Sequence, residues 1–293
     1  MTTITSIPST SFGQLFLVAT PIGNMKDITL RALEILQFVD LIAAEDTRRS
    51  RILLAHFGLS KPLLSLHAFN EESRSQEILN KLTAGMNIAL ISDAGTPLIS
   101  DPGFTLVRLI KQHGIKVVPI PGPCALIAAL SASGLPCDQF LFEGFLPAQS
   151  KARQKKLLSL KDSSATTIFY EAPHRILALF EDMKTVFGDN RLISFAKEIT
   201  KVFEYFFTGN IADAITWLTA EPEHQKGEFV VILSGKPVTE TVDESKDTHI
   251  SISSQTLLVT LLKSLPLKQA VQLASEITGE KKNKLYSLAL TLQ

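Results

Sequence analysis

An α/β fold is what this sequence predicts, and three observations carry the expectation. Apolar runs of strand length alternate with helix-period segments through the first 235 residues. Around residues 88–110 the order is plain: the apolar run Ile88 to Ile91, a loop holding Gly95 and Pro97, then the helical run Phe104 to Ile110. Hydrophobic residues make up 45% of the 293 and charged residues 20%, the balance of a folded globular chain. Alternation of this kind builds a mostly parallel sheet with helices on its faces.

The elements follow in order. Leu15 to Ala19 reads as a short buried strand, and Asp27 to Phe38 has helical spacing at Ile28, Ala32, Leu33, Ile35 and Leu36. Leu41 to Ala44 is a strand, Thr47 to His56 a helix that Gly58 ends, and Leu63 to Leu66 a strand. Asn70 caps a polar helix reaching about Thr83, with Glu71 and Glu72 in its favourable first turn. After Ile91, Asp101 suits an N-cap, Pro102 the first helical position, and Gly114 the stop. Small residues at such a strand end let a ligand approach the backbone, and open α/β sheets bind ligands at that edge. An ordinary strand-to-helix connection is the other reading.

Lys116 to Ile120 is a strand that meets Pro121-Gly122-Pro123, the best internal domain boundary. Beyond it come an apolar helix from Cys124 to Ser131, the strand Phe140-Leu141-Phe142, a basic helix near 150–160, and the strand Thr167 to Tyr170. A long helix from His174 to Phe187 follows, then strands at Leu192 to Ala196 and Glu204 to Phe207, a helix at Ile211 to Ala220, and a last strand at Phe229 to Leu233. This second sheet looks more mixed. Lys236 to Ser254 is a polar linker, and two helices around Pro266 with a third over Lys284 to Leu290 make a small helical tail.

Composition excludes several classes. The longest apolar run, Cys124 to Leu130, is far short of the roughly 20 residues that span a membrane. Met1 to Ser11 lacks a basic or apolar segment and reads as a frayed arm, not a signal peptide. Two cysteines without metal or CxxC spacing suit a reducing cytoplasm. Basic and acidic residues number 29 each, so no global charge draws nucleic acid; any such contact comes from the clusters Arg48-Arg49-Arg51 and Lys151, Arg153, Lys155, Lys156.

Seven segments, taken in order, go beyond fold class. They are Ala19-Thr20-Pro21-Ile22-Gly23-Asn24, Glu45-Asp46-Thr47-Arg48, Ser92 to Gly103, Pro121-Gly122-Pro123, Glu143-Gly144-Phe145-Leu146-Pro147, Tyr170-Glu171-Ala172-Pro173-His174-Arg175 and Lys197-Glu198-Ile199-Thr200-Lys201. Together they resemble the tetrapyrrole-methylase superfamily and, more narrowly, its ribosomal branch, the small-subunit rRNA cytidine 2′-O-methyltransferases. The resemblance implies two α/β domains, 13–121 and 122–236, with a ligand cleft between them, plus a helical extension at 255–293. It further implies S-adenosylmethionine as methyl donor, 16S rRNA of the 30S subunit as acceptor, and a homodimer. The donor contacts it carries over are Ile22, Thr96, Ile99, Cys124, Ala125, Tyr170, Ala196 and Phe229. Where Cys124 stands the family often has Ser, and a thiol is the weaker hydrogen-bond donor.

Transfer to a ribose hydroxyl needs the acceptor oxygen in line with the methyl carbon, within roughly 3–3.5 Å. That hydroxyl is a poor acid, so a general base or a nearby cation helps. The family motifs put forward Lys197, Glu198 and Glu45 as catalytic residues. Each motif also has a structural reading: a strand-end ion pair for Lys197-Glu198, and helix capping by Asp46 with a solvated Arg48 for the second segment. Glu171 with His174-Arg175 reads as a partner for phosphate or donor, or as a helix start. The two basic clusters are candidate RNA contacts, with a solvated helix face as the alternative. For Asp93 and Asp101, loop ordering and helix capping are preferred to a metal pair, since no further ligand cluster accompanies them. The same fold could instead methylate a small tetrapyrrole, or serve ribosome assembly without catalysis; the basic clusters and helical tail favour RNA over a macrocycle.

Overall fold

The computed structural model describes residues 12–236 and 254–292. The expected arm at Met1 to Ser11 and most of the expected linker, 237–253, lie outside the described residues. Two compact units are present, one within Met1–Val238 and one within Thr239–Gln293. Among the described residues no helix is long and apolar enough to cross a membrane.

Five short strands, β1 (Leu15–Val18), β2 (Leu41–Ala44), β3 (Leu63–Ser65), β4 (Ile88–Ile91) and β5 (Val117–Ile120), form an all-parallel sheet in the order β3-β2-β4-β1-β5. The helices between them are α1 (Leu30–Phe38), α2 (Thr47–His56), α3 (Glu71–Thr83) and α4 (Phe104–Gln112). Leu15, Ala43 and Leu90 pack against α3 and α4, while Phe16, Ile42 and Ile91 pack against α1 and α2. With both faces covered, β2 and β4 are buried at every position, which is why their sequences are apolar without alternation.

Three helix starts around the first sheet differ from expectation. Asp27 belongs to a separate 3₁₀ turn, Met25–Asp27, and α1 begins only after Thr29, whose hydroxyl oxygen accepts from Ala32 N at 3.1 Å. Asn70 precedes α3 without capping it; its Oδ1 accepts from His67 N at 2.8 Å and its Nδ2 donates to Ser65 O at 3.2 Å, closing the turn out of β3. The third difference is at Asp101. Two of the free N–H groups at the start of α4, those of Gly103 and Thr105, donate to Glu71 Oε1, at 3.1 and 2.8 Å. A carboxylate from a neighbouring helix thus does the capping, and Asp101 does not.

The second sheet holds β6 (Phe140–Phe145), β7 (Thr166–Glu171), β8 (Leu192–Lys197), β9 (Tyr205–Asn210) and β10 (Phe229–Leu233) in the order β6-β7-β10-β8-β9. Only β6 and β7 run parallel; the other pairs are antiparallel. One face packs on α6 (Ser150–Ser159), α7 (Ile176–Phe187) and α8 (Ile211–Ala220) around Phe169, Phe180 and Phe195. The other face meets α5 (Ala125–Ala132) and, from the first sheet's loops, Ile22 and Ile99. That contact brings the two sheets together within one compact unit.

In the second unit, α9 (Ser254–Leu262), α10 (Leu267–Thr278) and α11 (Lys282–Thr291) enclose a small core of Leu258, Val271, Ala274, Leu285 and Ala289. Pro266 precedes α10, and Gly279 at φ 70° ends it.

Candidate active site

Adjacent strands β1 and β4 send their chains in opposite directions, β1 toward β2 and β4 toward β5. Such a switch point leaves a crevice at the carboxyl ends of the strands. Here the two outgoing loops are tied together. Thr20 and Gly95 exchange backbone hydrogen bonds at 2.9 and 3.0 Å, and the buried Thr20 hydroxyl donates to Ser92 O at 3.2 Å. Gly95 sits at φ 82°, and a Cβ there would lie 3.3 Å from Ile22 Cγ2. The first loop also touches the second sheet. Asn24 N donates to Thr200 Oγ1 at 3.0 Å, and a Cβ on Gly23 would come within 2.6 Å of Lys201 Cγ. Glycine is needed at 23 because the loops approach so closely.

Between these loops and the facing ends of β7 and β10 lies a cavity of about 370 Å³. Small-ligand sites span about 300–1,000 Å³. The non-glycine residues with φ in the left-handed region, among those described, are Leu98 (72°), Ser100 (69°), Glu198 (51°) and Thr200 (65°), all in two loops beside this cavity. Backbone strain of this kind concentrates where a site requires it.

Of the residues expected to contact the donor, Ile22, Thr96, Ile99, Cys124, Ala125, Tyr170 and Phe229 lie on the wall. Ala196 does not. It is 1% exposed and paired in register with Val230, and β10 supplies Val230 to the wall in its place. The Thr96 hydroxyl donates to Pro123 O at 3.0 Å, joining the loop after β4 to the turn before α5. Cys124 occupies the N-cap of α5 without a side-chain cap. The Tyr170 phenol oxygen instead accepts from Leu126 N at 3.2 Å, and its ring stands against Phe142 and Phe145. Burial drives the Tyr170 hydroxyl well above its ordinary proton affinity, which keeps it neutral.

The three expected catalytic residues are placed differently from one another. Lys197 is corrected: side chains alternate along β8, so it points to the face opposite Ala196, donates to Glu223 O at 2.6 Å and lies over the Trp217 ring. It does not reach the cavity. Glu198 is off the wall too, but it accepts from Glu228 N and from Lys201 Nζ, both at 2.9 Å, and so fixes Lys201, which is on the wall. Burial opposes its ionisation, yet these donors outweigh burial and hold its carboxyl below the ordinary range. Glu45, just past the end of β2, is not on the wall. Burial and the nearby Asp93 charge raise its proton affinity.

Four charged residues lie on the wall: Glu171, expected as a partner for phosphate or donor or as a helix start, and Asp101, Lys201 and Glu228, which were not expected as donor contacts. Glu171 ends β7 with its side chain fully enclosed and paired with Arg175 Nε at 3.0 Å; it caps no helix. Burial raises its carboxyl against the pull of the Ala172 N–H and Arg175. Asp101 is pushed up to about 6, by burial first and then by the Glu45 charge. No local signal in the sequence marks Asp101 as a wall residue, since Asp101-Pro102-Gly103 fits a helix cap and the carboxylate that takes the role lies 32 residues before Gly103.

The candidate RNA contacts divide. Arg48 pairs with Asp46 at 2.7 Å while Asp46 caps α2, Arg49 pairs with Asp93 at 3.2 Å, and all three arginines of that cluster, Arg51 included, are exposed. Lys151 and Lys155 are exposed, and Lys156 pairs with Glu143 at 2.7 Å. Arg153 is corrected. It is 3% exposed, bonded to Asp182 at 2.6 Å and to the carbonyls of Ala148 and Ala178, so it fastens α6 to α7. Among the described residues no group of three metal-ligating side chains occurs.

Comparison with known proteins adds independent findings. Residues 14–215 match the family of tetrapyrrole (corrin/porphyrin) methylases, and residues 250–293 match the RsmI C-terminal HTH domain. The chain is 51% identical over 278 residues to ribosomal RNA small subunit methyltransferase I of Haemophilus influenzae, covering 95% of this chain and 96% of that one. With the Pseudomonas aeruginosa protein of the same name it is 50% identical over 283 residues, covering 97% and 99%. Among solved structures, a diphthine synthase aligns with a TM-score of 0.58 at 16% identity, over 76% of this chain and 90% of that one. A uroporphyrin-III-C-methyltransferase from Thermus thermophilus aligns at 0.54 and 18%, over 76% and 94%. These structural likenesses concern the fold.

Proposed function

We infer the reaction from one premise: this chain belongs to the tetrapyrrole (corrin/porphyrin) methylase family and, within it, to the ribosomal RNA small subunit methyltransferase I group. It is an S-adenosylmethionine-dependent methyltransferase of 16S ribosomal RNA, and the acceptor is the 2′-oxygen of a cytidine ribose. The observation that carries this reading is the cavity at the switch point, walled by motif residues from both sheets.

The cavity suits the donor. Ile22, Ile99, Ile199 and Val230 offer apolar surface for a nucleoside, and Asp101, Glu171 and Glu228 outnumber Lys201, which suits a cation. When bound, S-adenosylmethionine supplies a methyl group on a positively charged sulfur, already activated for displacement. Lys201, held by Glu198 and by Glu228 at 2.8 Å, is fixed to meet an anionic group without sampling other rotamers. The Thr96–Pro123 and Tyr170–Leu126 bonds keep the walls from relaxing. Arg49 and Arg51, with Lys151 and Lys155, are the exposed cations for positioning RNA phosphates. The enzyme works in the cytoplasm, where its acceptor is, and as a homodimer. Exposed Val202 and Phe203, on the loop that carries Lys201, support that pairing as surface a second copy would cover.

Two measurements test this. Mass spectrometry of 16S rRNA from cells lacking the protein should show a missing cytidine ribose methyl; a full complement of ribose methyls would refute the acceptor. In calorimetry, Thr96→Arg should abolish donor binding by filling the cavity, and an unchanged affinity would place the donor elsewhere.

A further inference from the structure

We propose that Phe69 is a stacking platform for an unpaired rRNA base beside the cytidine being methylated. The inference rests on the RNA-methyltransferase reading of the cavity and names how the acceptor strand is held. Phe69 is 99% exposed, yet it sits in a well-bonded turn between β3 and α3. In that turn Asn70 N donates to His67 O at 3.0 Å, His67 N donates to Asn70 Oδ1, and Asn70 Nδ2 donates to Ser65 O. The His67 ring stands at a steep angle to the Phe69 ring, 6.1 Å between centroids. One exposed apolar side chain needs no explanation. Here a second exposed ring, Phe104, begins α4, and Glu71, two residues after Phe69, holds the N–H groups on both sides of it. Two aromatic faces are thus offered to solvent from backbone that is already fixed.

The turn lies at the carboxyl edge of the parallel sheet, the edge that carries the cavity. β3 is two strands from β4, so the turn stands about 10 Å along that edge from the switch-point loop. Between them begins α2 with its arginines. Arg48 is 85% exposed against 25% for its partner Asp46, and Arg49 71% against 20% for Asp93, so the surface shown to solvent is cationic. Glu45 lies within electrostatic reach of Arg49, Asp93 and His67, which ties the three loops to one place. Cations for phosphates beside an aromatic face for a base are the two parts of a single-strand site. The cavity is recessed between the sheets, so the target nucleotide must turn out of its strand to enter. Its neighbour then loses a stacking partner. Phe69 replaces that partner, and because every base has a flat face the ring positions the strand without reading its sequence.

The test uses the full-length protein, S-adenosylmethionine and 30S subunits from cells lacking the protein. F69A should raise KM for the subunit at least about fivefold, the smaller value of a lost base stack, with kcat within about threefold. Donor affinity by calorimetry should stay within about twofold and the melting temperature within a few degrees, since the ring is outside both cavity and core. The salt dependence of subunit binding should keep its slope, because no phosphate contact is lost. F69Y and F69W should restore KM, whereas F69L, apolar but without a π-face, should not. With p-benzoylphenylalanine at position 69, irradiation should crosslink the enzyme to an unpaired 16S rRNA nucleotide next to the methylated cytidine. A smaller rise in KM for F69A, rescue by F69L, a reduced salt slope, or the absence of an rRNA crosslink, a crosslink to ribosomal protein included, overturns the proposal. A wild type that methylates no ribose removes reaction and platform together, whereas an active wild type matched by F69A removes the platform alone.

Discussion

The guanidinium of Arg153 is enclosed by Asp182, and Asp182 is bonded in turn by Ser150 at 2.7 Å and Gln154 at 2.6 Å. Removing one partner of a buried pair strands the other charge, at a cost of about 3–5 kcal/mol. Arg153→Ala should therefore lower stability by that order in chemical denaturation, while rRNA affinity of the folded protein stays within twofold. Lys151 and Lys155, on the exposed side of the same helix, behave oppositely. Changing both to Glu should leave the melting temperature within a few degrees. It should also weaken rRNA binding and lower the slope of its salt dependence by about one for each phosphate no longer neutralised. Charge spacing reveals that α6 is basic. It does not reveal which cation turns inward, because that depends on the carboxylate of Asp182 on another helix.

At the scale of elements, the α4 start shows where local rules stop. Asp101-Pro102-Gly103 satisfies every local criterion for a cap, yet a carboxylate 32 residues earlier in the chain takes the Gly103 N–H. Glu71→Ala should cost about 1 kcal/mol by urea denaturation, the usual value of a cap. Asp101→Ala should not show a capping loss. Strands such as β4 and β10 were legible because burial on both faces writes itself into composition as an uninterrupted apolar run. Helix α2 was legible for a similar reason, since Asp46 and Gly58 mark its ends from within its own sequence. Lys197 was misread at this scale: a strand-end motif says that two neighbours matter, but alternation sends only one of any adjacent pair to a given face.

For the molecule as a whole, alternating strands and helices made the α/β class readable. Seven of the eight residues that the ordered motifs single out line one cavity. What stayed hidden was the meeting of the two halves: the Asn24–Thr200 bond and the carboxylates gathered near Asp101 come from segments far apart in the chain. The backbone passes from the first sheet to the second just once, at Pro121 to Cys124, so each half is an unbroken stretch of sequence. Two polypeptides separated at that crossing should therefore reassemble without tangling. A ligand gripped by both would act as their latch, and sedimentation of the mixed fragments should show them united when S-adenosylmethionine is added and drifting apart when it is dialysed away.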